Sequence, residues 1–286
     1  MTLAHDFDRR ITPAREDLAA AHLRGRVAAP RYVEGVVMQV RDCVADMRRA
    51  PRPDAAVDTQ ALYGERFTVY DEEEGWAWGQ LTRDGYVGWI AANTLWSRND
   101  PPTHRVKTPR SFIYPGPDIK LPPVGALPLG ADVTITGVRN GFLVTPESGF
   151  IYEKHLAALD RPAPDFVAVA ETLIGAPYLW GGKSSLGIDC SGLVQVALLV
   201  AGAAAPRDSD MQASGLGAAV TADAPLQRGD LVFWKGHVGI MRDATTLLHA
   251  NAFHMQVTSE SLAEVRARNI AAGAGDITAC RRPGAV

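Results

Sequence analysis

The sequence predicts an α+β protein in which two small antiparallel β-barrels precede a domain of mixed helices and strands. Three observations predict this arrangement: a self-repeating stretch between residues 51 and 160, two proline-rich connectors, and a change from turn-rich strands to helices after residue 165. With 286 residues, the chain is long enough for two or three compact units.

The chain begins with a predicted lead-in over residues 1–50, of mixed helical and strand character. It holds a short run of apolar residues, from Val33 to Val40, that is typical of one strand. The segment PRPDAAVD at 51–58 marks the end of the lead-in, because proline fixes φ and lacks the amide donor that a strand interior needs.

The internal repeat decides the architecture of the next hundred residues. GERFTV at 64–69 is echoed by GADVTI at 130–135, GW at 75–76 by GF at 141–142, and DGYV at 84–87 by ESGFI at 147–151. Each copy is a series of short strands separated by Gly, Asp and Asn turns, which is typical of a small antiparallel barrel. We therefore predict barrels over residues 51–98 and 104–160, joined by the polar connector SRNDPPTH at 97–104.

Composition and charge exclude several classes of function. A formal net charge of −3 gives no broad attraction for nucleic acid or an anionic membrane. No stretch approaches the ~20 apolar residues of a transmembrane helix, and the start lacks the pattern of a secretory signal, so we expect a cytoplasmic protein without membrane insertion. The three cysteines, Cys43, Cys190 and Cys280, form neither a disulfide framework nor a paired zinc-ligand pattern.

A cysteine at the predicted start of a helix is the first candidate for chemistry. The glycine-rich loop YLWGG at 178–182 leads to Asp189 and Cys190, and the apolar residues that follow, closed by Gly202, indicate a buried helix. Unpaired N–H groups and the positive end of the helix dipole favour a thiolate, the form that attacks carbonyl carbons. Donors at the same place could hold the oxyanion of a tetrahedral intermediate.

Two histidines downstream supply the proton acceptor that such a sulfur needs. Residues 238–241 and 246–249 are two predicted strands joined by a turn at 242–245. The mean of 237 and 249 is 243, the centre of that turn, so a hairpin places His237 opposite His249 on one face. We therefore interpret Cys190 as a nucleophile, His237 as its general base and His249 as the residue that orients the base.

Structural interpretations of these residues stay open. A single cysteine at a helix start is more often an inert apolar residue than a nucleophile, and a lone histidine is commonly structural. The conjunction of the glycine-rich loop, the cysteine and the two histidines favours catalysis. A zinc site on Cys190, His237 and His249 is the structural rival, although no second cysteine or close ligand pair accompanies them.

The motifs DCSGLV at 189–194, GHVGI at 236–240 and HAN at 249–251 resemble those of the NlpC/P60 peptidases, a family with a pared-down papain fold. The resemblance covers residues 165–286. It implies a catalytic set of Cys190 as nucleophile, His237 as base and His249 as third, polar member, with no metal or organic cofactor. It also implies hydrolysis of bacterial cell-wall peptides, typically at the bond from γ-D-glutamate to diaminopimelate.

Two SH3-like β-barrels ahead of such a papain-like domain resemble the γ-D-glutamyl-L-diamino-acid endopeptidases of peptidoglycan recycling. These enzymes favour small muropeptides with a free N-terminal L-alanine. The resemblance implies contacts of Asp208 with the substrate's α-ammonium group and of Ser209 with its peptide backbone. The substrate-binding residues that it implies in this domain are Tyr178, Asp189, Ser191, Asp208 and Ser209.

The repeat adds two candidates in the first barrel. Glu65 and Tyr86 align with Ala131 and Phe150 of the second copy, so only the first copy carries a carboxylate and a phenol at these places. A partly desolvated ammonium group needs a carboxylate partner, which predicts that Glu65 and Tyr86 cap the site and reject N-terminally blocked chains. The alternative is that Glu65 is a solvated strand-end charge and Tyr86 ordinary barrel core.

The resulting hypothesis is a cysteine peptidase that acts on small muropeptides through an acyl-enzyme. An amidase or acyltransferase could use the same Cys-His dyad, because the dyad does not fix the acyl donor. The rival from another class is a non-catalytic cell-wall-binding protein built on the two barrels. The accepted diamino acid and the oligomeric state are left open by the sequence.

Overall fold

The computed structural model describes residues 7–221 and 223–284. The chain divides into two compact units, Met1–Pro102 and Thr103–Val286. Six residues of the predicted lead-in, and the last two of the predicted 165–286 domain, lie outside the described residues. Among the helices of the described part, none is long and apolar enough to cross a lipid bilayer.

The first unit is built on one antiparallel sheet of seven strands. The strands of this unit are β1 (Leu18–Ala20), β2 (Arg31–Val33), β3 (Val36–Val40), β4 (Val44–Arg48), β5 (Val57–Leu62), β6 (Arg66–Glu73), β7 (Trp76–Leu81), β8 (Val87–Ala91) and β9 (Leu95–Trp96). The sheet has the order β5-β4-β8-β7-β6-β3-β9, and β1 and β2 form a separate parallel pair. Alternate residues along β6 and β7, such as Phe67 and Leu81, are buried in the core of the sheet.

The seven-stranded sheet begins before the predicted barrel boundary at residue 51. β4 pairs with β5, with Val44 opposite Leu62, and β3 pairs with β6, with Val36 opposite Val69. Residues 49–56 are the turn between β4 and β5, and proline is as compatible with a turn as with a linker. The predicted boundary was wrong, because it divides one continuous sheet whose first strand starts at Val36.

A second core fastens the lead-in to this sheet. Leu18 and Leu23 of the lead-in are buried together with Trp78 and Trp89 of β7 and β8. The guanidinium group of Arg15 lies 5.0 Å from the centre of each of these two indole rings. The lead-in is therefore part of the packed first unit.

The second unit starts with short strands. They are β10 (His104–Val106), β11 (Arg110–Ile113), β12 (Gly125–Pro128), β13 (Asp132–Val133), β14 (Gly137–Arg139), β15 (Phe142–Val144), β16 (Phe150–Tyr152) and β17 (Leu156–Ala158). They form three small antiparallel sheets, ordered β13-β10-β17, β11-β12 and β14-β15-β16. Leu129 is buried in the core of the helices that follow, and Arg105 donates a hydrogen bond to the Leu199 carbonyl at 2.9 Å. These strands thus pack on the rest of the second unit.

The remainder of the second unit is a six-stranded antiparallel sheet with helices packed on it. Its elements are α1 (Phe166–Glu171), β18 (Lys183–Ser184), β19 (Gly187–Ile188), α2 (Cys190–Val200), α3 (Ser209–Gly215), β20 (Ala218–Ala219), β21 (Leu231–Trp234), β22 (His237–Met241), β23 (Thr246–Asn251), β24 (Gln256–Ser261), α4 (Leu262–Ala271) and β25 (Ala279–Arg282). The sheet order is β20-β25-β21-β22-β23-β24, and β18 pairs with β19 apart from it.

Helix α2 is the buried helix that the apolar run predicts. Leu193, Val194 and Val196 are at most 1% exposed, and burial of each such side chain contributes about 1.5–3 kcal/mol. Asp189 caps the first turn, and Gly202 follows the helix with φ at 87°, a conformation that glycine adopts without steric cost. The core shared by α2, β22 and β23 holds the head of α2 against the strands that carry the two histidines.

Candidate active site

Cys190 is the first residue of α2 and is 7% exposed. The backbone N–H groups of Val238 and Ser191 act to lower the pKa of its thiol, against the larger and opposite effect of burial. Val238 directly follows His237, so the sulfur lies at the start of the strand that carries this histidine. At Gly192, a Cβ atom would lie only 2.4 Å from the carbonyl oxygen of Gly182, and the glycine thus lets the loop pack closely on the helix start.

The two histidine rings meet, as the hairpin predicts. His237 Nε2 lies 2.8 Å from His249 Nδ1, and the ring centres are 5.0 Å apart. The register differs from the prediction: Ile240 pairs with Leu248, which places Gly239 across from His249 when the pairing is continued. His249 is therefore diagonal to His237, because the turn is centred one residue later than the sequence count suggested.

Glu260 extends the histidine pair and was missed by the sequence reasoning. Its Oε1 atom lies 2.8 Å from His249 Nε2, and Arg268 donates to its two oxygens at 2.8 and 2.9 Å. His254 Nε2 lies 3.3 Å from the other oxygen. The sequence feature that could have indicated it is an acidic residue in β24, the strand that follows the strand of His249. The register that brings Glu260 beside His249 depends, however, on the turn between these two strands.

Burial sets the charge of the Cys190 and His237 pair. Burial raises the pKa of Cys190 to about 12, and the negative charge of Asp189 acts in the same direction. Burial lowers the pKa of His237 to about 3, with His249 and Arg268 also lowering it. Both groups are therefore neutral near pH 7. Desolvation therefore opposes the thiolate that the backbone donors at the helix start favour.

Arg207 holds the residues that flank the nucleophile. Its side chain is 1% exposed and donates to the two oxygens of Asp189 at 3.0 and 2.7 Å. It also donates to Ser191 Oγ at 2.9 Å, while the Gly181 N–H donates to Asp189 at 2.9 Å. The substrate-binding roles of Asp189 and Ser191 stay predictions, and in the structure their side chains contact groups of the chain itself.

Asp208 and Ser209 lie half-buried at the start of α3. Gln212 is fully buried one turn later and donates to the carbonyls of Ser191 and Pro206 at 3.0 and 2.8 Å. This segment is therefore tied to the head of α2. Arg207 and Gln212 are the anchors that sequence reasoning did not identify.

Tyr178 lies in the loop before β18, and its N–H donates to the Met255 carbonyl at 2.9 Å. Burial raises the pKa of its phenol to about 12, and Cys190 and Asp189 act in the same direction. The phenol is therefore protonated near pH 7 and available as a hydrogen-bond donor.

In the first unit, Glu65 is 2% exposed and forms an ion pair with Arg83 at 2.8 Å. The alternative that Glu65 is a solvated charge is therefore wrong. Tyr86 is 5% exposed and belongs to the core of the seven-stranded sheet. The cap formed by Glu65 and Tyr86 stays a prediction.

A metal site was the structural alternative to a nucleophile. Across residues 7–221 and 223–284, no group of three or more His, Cys, Asp or Glu side chains is arranged to hold a metal ion. The roles of Cys190, His237 and His249 in proton transfer from sulfur to imidazole stay predictions, to which the hydrogen-bonded histidine pair lends support.

Comparison with known proteins matches both parts of the chain. Residues 47–95 match the bacterial dipeptidyl-peptidase SH3 domain, and residues 175–272 match the NlpC/P60 family. A crystal structure of an NlpC/P60 family protein from Bacillus cereus is similar, with a TM-score of 0.72 and 22% identity over 86% of this chain and 99% of its own. This likeness and the two family matches confirm the predicted fold class, a papain-like domain of mixed helices and strands preceded along the chain by an SH3-like domain. The second predicted SH3-like barrel, over residues 104–160, stays a prediction.

Two curated relatives carry the name γ-D-glutamyl-L-lysine dipeptidyl-peptidase. The protein from Bacillus subtilis is 30% identical over 226 residues, which cover 69% of this chain and 73% of the relative. The protein from Bacillus cereus is 30% identical over 201 residues, which cover 62% of this chain and 60% of the relative. The similarity to this second relative thus spans less than two thirds of its length.

Proposed function

The chain belongs to the NlpC/P60 family, and from that premise we propose that it is a cysteine peptidase that cleaves the bond from γ-D-glutamate to a diamino acid in cell-wall peptides. One observation supports this most directly. The buried thiol of Cys190, at the head of α2, lies near the start of β22, the strand that begins with His237. His237 Nε2 is in turn hydrogen-bonded to His249 Nδ1. We assign Cys190 as the nucleophile, His237 as the base and His249 as its partner.

The first step joins proton transfer to nucleophilic attack. The sulfur of Cys190 adds to the γ-carbonyl carbon while its proton passes to His237. Since His237 Nε2 is engaged with His249, Nδ1 is the nitrogen that takes this proton. Starting from a neutral pair, charge develops only when the substrate carbonyl is present to accept the electron pair.

The second half of the cycle returns the proton. The His237 imidazolium protonates the departing amine as the carbon–nitrogen bond breaks, which leaves a thioester on Cys190. His237 then takes a proton from water as the hydroxide adds to the thioester carbonyl. When this intermediate collapses to the γ-carboxylic acid, the His237 imidazolium returns the proton to the departing sulfur, which restores the thiol. Backbone N–H groups at the head of α2 and the protonated Tyr178 phenol are the donors that we assign to the oxyanion.

For the substrate, we propose a small muropeptide with a free N-terminal L-alanine, γ-linked D-glutamate, and diaminopimelate or L-lysine. The names of the relatives specify release of a dipeptide before L-lysine, which supports a free N-terminus. Half-buried Asp208 and Ser209, tied to the head of α2 through Gln212, fit contacts with the α-ammonium group and the peptide backbone. A cytoplasmic role in peptidoglycan recycling follows from such a substrate and is part of the proposal.

Product analysis by mass spectrometry tests this function. The substrates are L-Ala-γ-D-Glu-diaminopimelate, its L-lysine counterpart and the N-acetylated form of each. We expect release of L-Ala-D-Glu from at least one free-amine peptide and none from the acetylated twins. Folded Cys190→Ala should release none. Absence of cleavage by the wild-type protein, or cleavage by Cys190→Ala at the wild-type rate, contradicts the proposal.

Two further controls separate finer points. Transfer of the acyl group to an added amine in preference to water would favour the acyltransferase alternative. Glu65→Ala should lose activity on free-amine peptides only if Glu65 recognises the amine, and unchanged kinetics would reject the cap. Because Glu65 is paired with Arg83, Arg83→Ala serves as the control for loss of the ion pair alone.

A further inference from the structure

Beyond the histidine pair, β24 and α4 contribute a carboxylate and an arginine that face His249. We propose that Glu260, clamped by Arg268, is a positioning residue that fixes the tautomers of both histidines, so that His237 presents a proton-free Nδ1 to Cys190. The inference rests on the proposed function, because it concerns the nitrogen that takes the thiol proton.

The tautomers follow from one hydrogen bond to the next. An ionised carboxylate only accepts, so His249 Nε2, 2.8 Å from Glu260 Oε1, carries the hydrogen. A neutral imidazole has one N–H group, and His249 Nδ1 must therefore accept. That atom lies 2.8 Å from His237 Nε2, which must donate. The single hydrogen of His237 is thus on Nε2, and its Nδ1 has a free electron pair.

Arg268 keeps the carboxylate ionised and in place. Its guanidinium group donates to both oxygens, at 2.8 and 2.9 Å, and lies 4.2 Å from the centre of the Phe253 ring. Burial alone would raise the pKa of Glu260, but hydrogen bonds from Arg268, His249 and His254 outweigh it and lower the pKa to about 2. These three groups face the carboxylate from α4, β23 and the turn before β24. Glu260 is therefore an acceptor throughout the neutral pH range.

An amide at this position cannot satisfy the same partners. Arg268 donates a hydrogen bond to each of the two Glu260 oxygens. In Glu260→Gln one of these oxygens becomes an NH2 group, so a donor of Arg268 faces another donor whichever way the amide is turned. With the NH2 group towards His249, both histidines change tautomer and His237 Nδ1 carries the hydrogen. That nitrogen then cannot take the proton of Cys190.

The test reads the tautomers directly, by NMR of the resting full-length protein with 15N-labelled histidine. In the wild type, we expect the hydrogen on Nε2 of both His237 and His249. In Glu260→Gln, we expect a reversed or mixed population and a fall in kcat of roughly 10- to 100-fold, which reaches the lower limit of what general base catalysis contributes. KM should change less than about twofold, since an unchanged KM with lower kcat is the sign of a transition-state effect.

Glu171→Gln is the matched control. The Glu171 carboxylate is also bonded by two arginines in the same unit, Arg228 at 3.1 Å and Arg242 at 2.8 Å, and its hydrogen-bond partners are not histidines. This variant should leave the tautomers and kcat unchanged. An equal fall of kcat in both variants would indicate a general effect of lost ion pairing and overturn the inference.

The outcomes for the tautomers and for the proposed function are distinguishable. Hydrogen on Nδ1 of His237 in the wild type overturns the inference whether or not Glu260→Gln folds. Unchanged tautomers and kcat in Glu260→Gln also overturn it. The predicted tautomers in a wild-type protein that cleaves no γ-glutamyl peptide would reject the proposed function and leave the assignment of Glu260 intact.

Discussion

Replacement of Arg207 by methionine tests how the head of α2 is held in place. The arginine is 1% exposed and binds both oxygens of Asp189, whose carboxylate is itself nearly buried. Methionine retains much of the apolar stem but leaves the carboxylate without its counter-charge. Removal of one partner of a buried ion pair costs about 3–5 kcal/mol. Because the N–H groups of Gly181 and Gly192 still bind Asp189, we expect the lower end, about 3 kcal/mol.

Hydrogen exchange of the α2 amides measures this loss within the second unit. A loss of about 3 kcal/mol corresponds to exchange roughly 150-fold faster, at about 1.36 kcal/mol per factor of ten. The control is Arg266→Met, which breaks an ion pair whose side chains are 54% and 42% exposed and should leave α2 exchange unchanged. Acceleration of less than about tenfold in Arg207→Met would refute the reasoning. Equal acceleration in both variants would also refute it.

Three further predictions concern the site. The difference in thiolate absorbance between the wild type and Cys190→Ser should be absent at pH 7 and develop only in alkali, because burial raises the pKa of Cys190 to about 12. A thiolate signal at neutral pH would contradict the neutral pair. Protonation of His237 removes the general base, and burial lowers its pKa. We therefore expect kcat/KM to stay high as the pH falls below 6.5, the ordinary pKa of histidine. A decline of kcat/KM centred at or above pH 6.5 would count against this effect of burial. Gly192→Ala brings a Cβ atom within 2.4 Å of the Gly182 carbonyl and should lower the free energy of unfolding by about 1–3 kcal/mol, measured by thermal unfolding. At Gly215 a Cβ atom has open space, so Gly215→Ala should leave this free energy unchanged. Equal effects of the two variants would argue against the close packing at Gly192.

Local features of the site could be predicted from the sequence because they depend on neighbouring residues. The start of α2 at Cys190 and its end before Gly202 follow from the apolar run and the glycine. The contact of His237 with His249 follows from a hairpin, although the direct opposition does not, because one residue in the turn changes the register.

Features that depend on tertiary packing could not be predicted in this way. Arg207 and Glu260 reach the site from other elements, and no periodicity relates them to Cys190 or His249. The neutral thiol depends on burial beneath β22, which the sequence motif around Cys190 does not specify. Prolines 51 and 53 predict a boundary between the lead-in and the first barrel but lie in a turn, because turns and domain boundaries share the same composition.

The central claim is that the sulfur of Cys190 attacks the γ-glutamyl carbonyl and carries the acyl group. Rapid acid quench after mixing with L-Ala-γ-D-Glu-diaminopimelate or its L-lysine counterpart, followed by peptide mapping with mass spectrometry, tests it most directly. We predict a thioester with one L-alanyl-γ-D-glutamyl group on the peptide that contains Cys190, formed within the first turnover. Full turnover with no acyl group on Cys190 at any quench time would contradict the account.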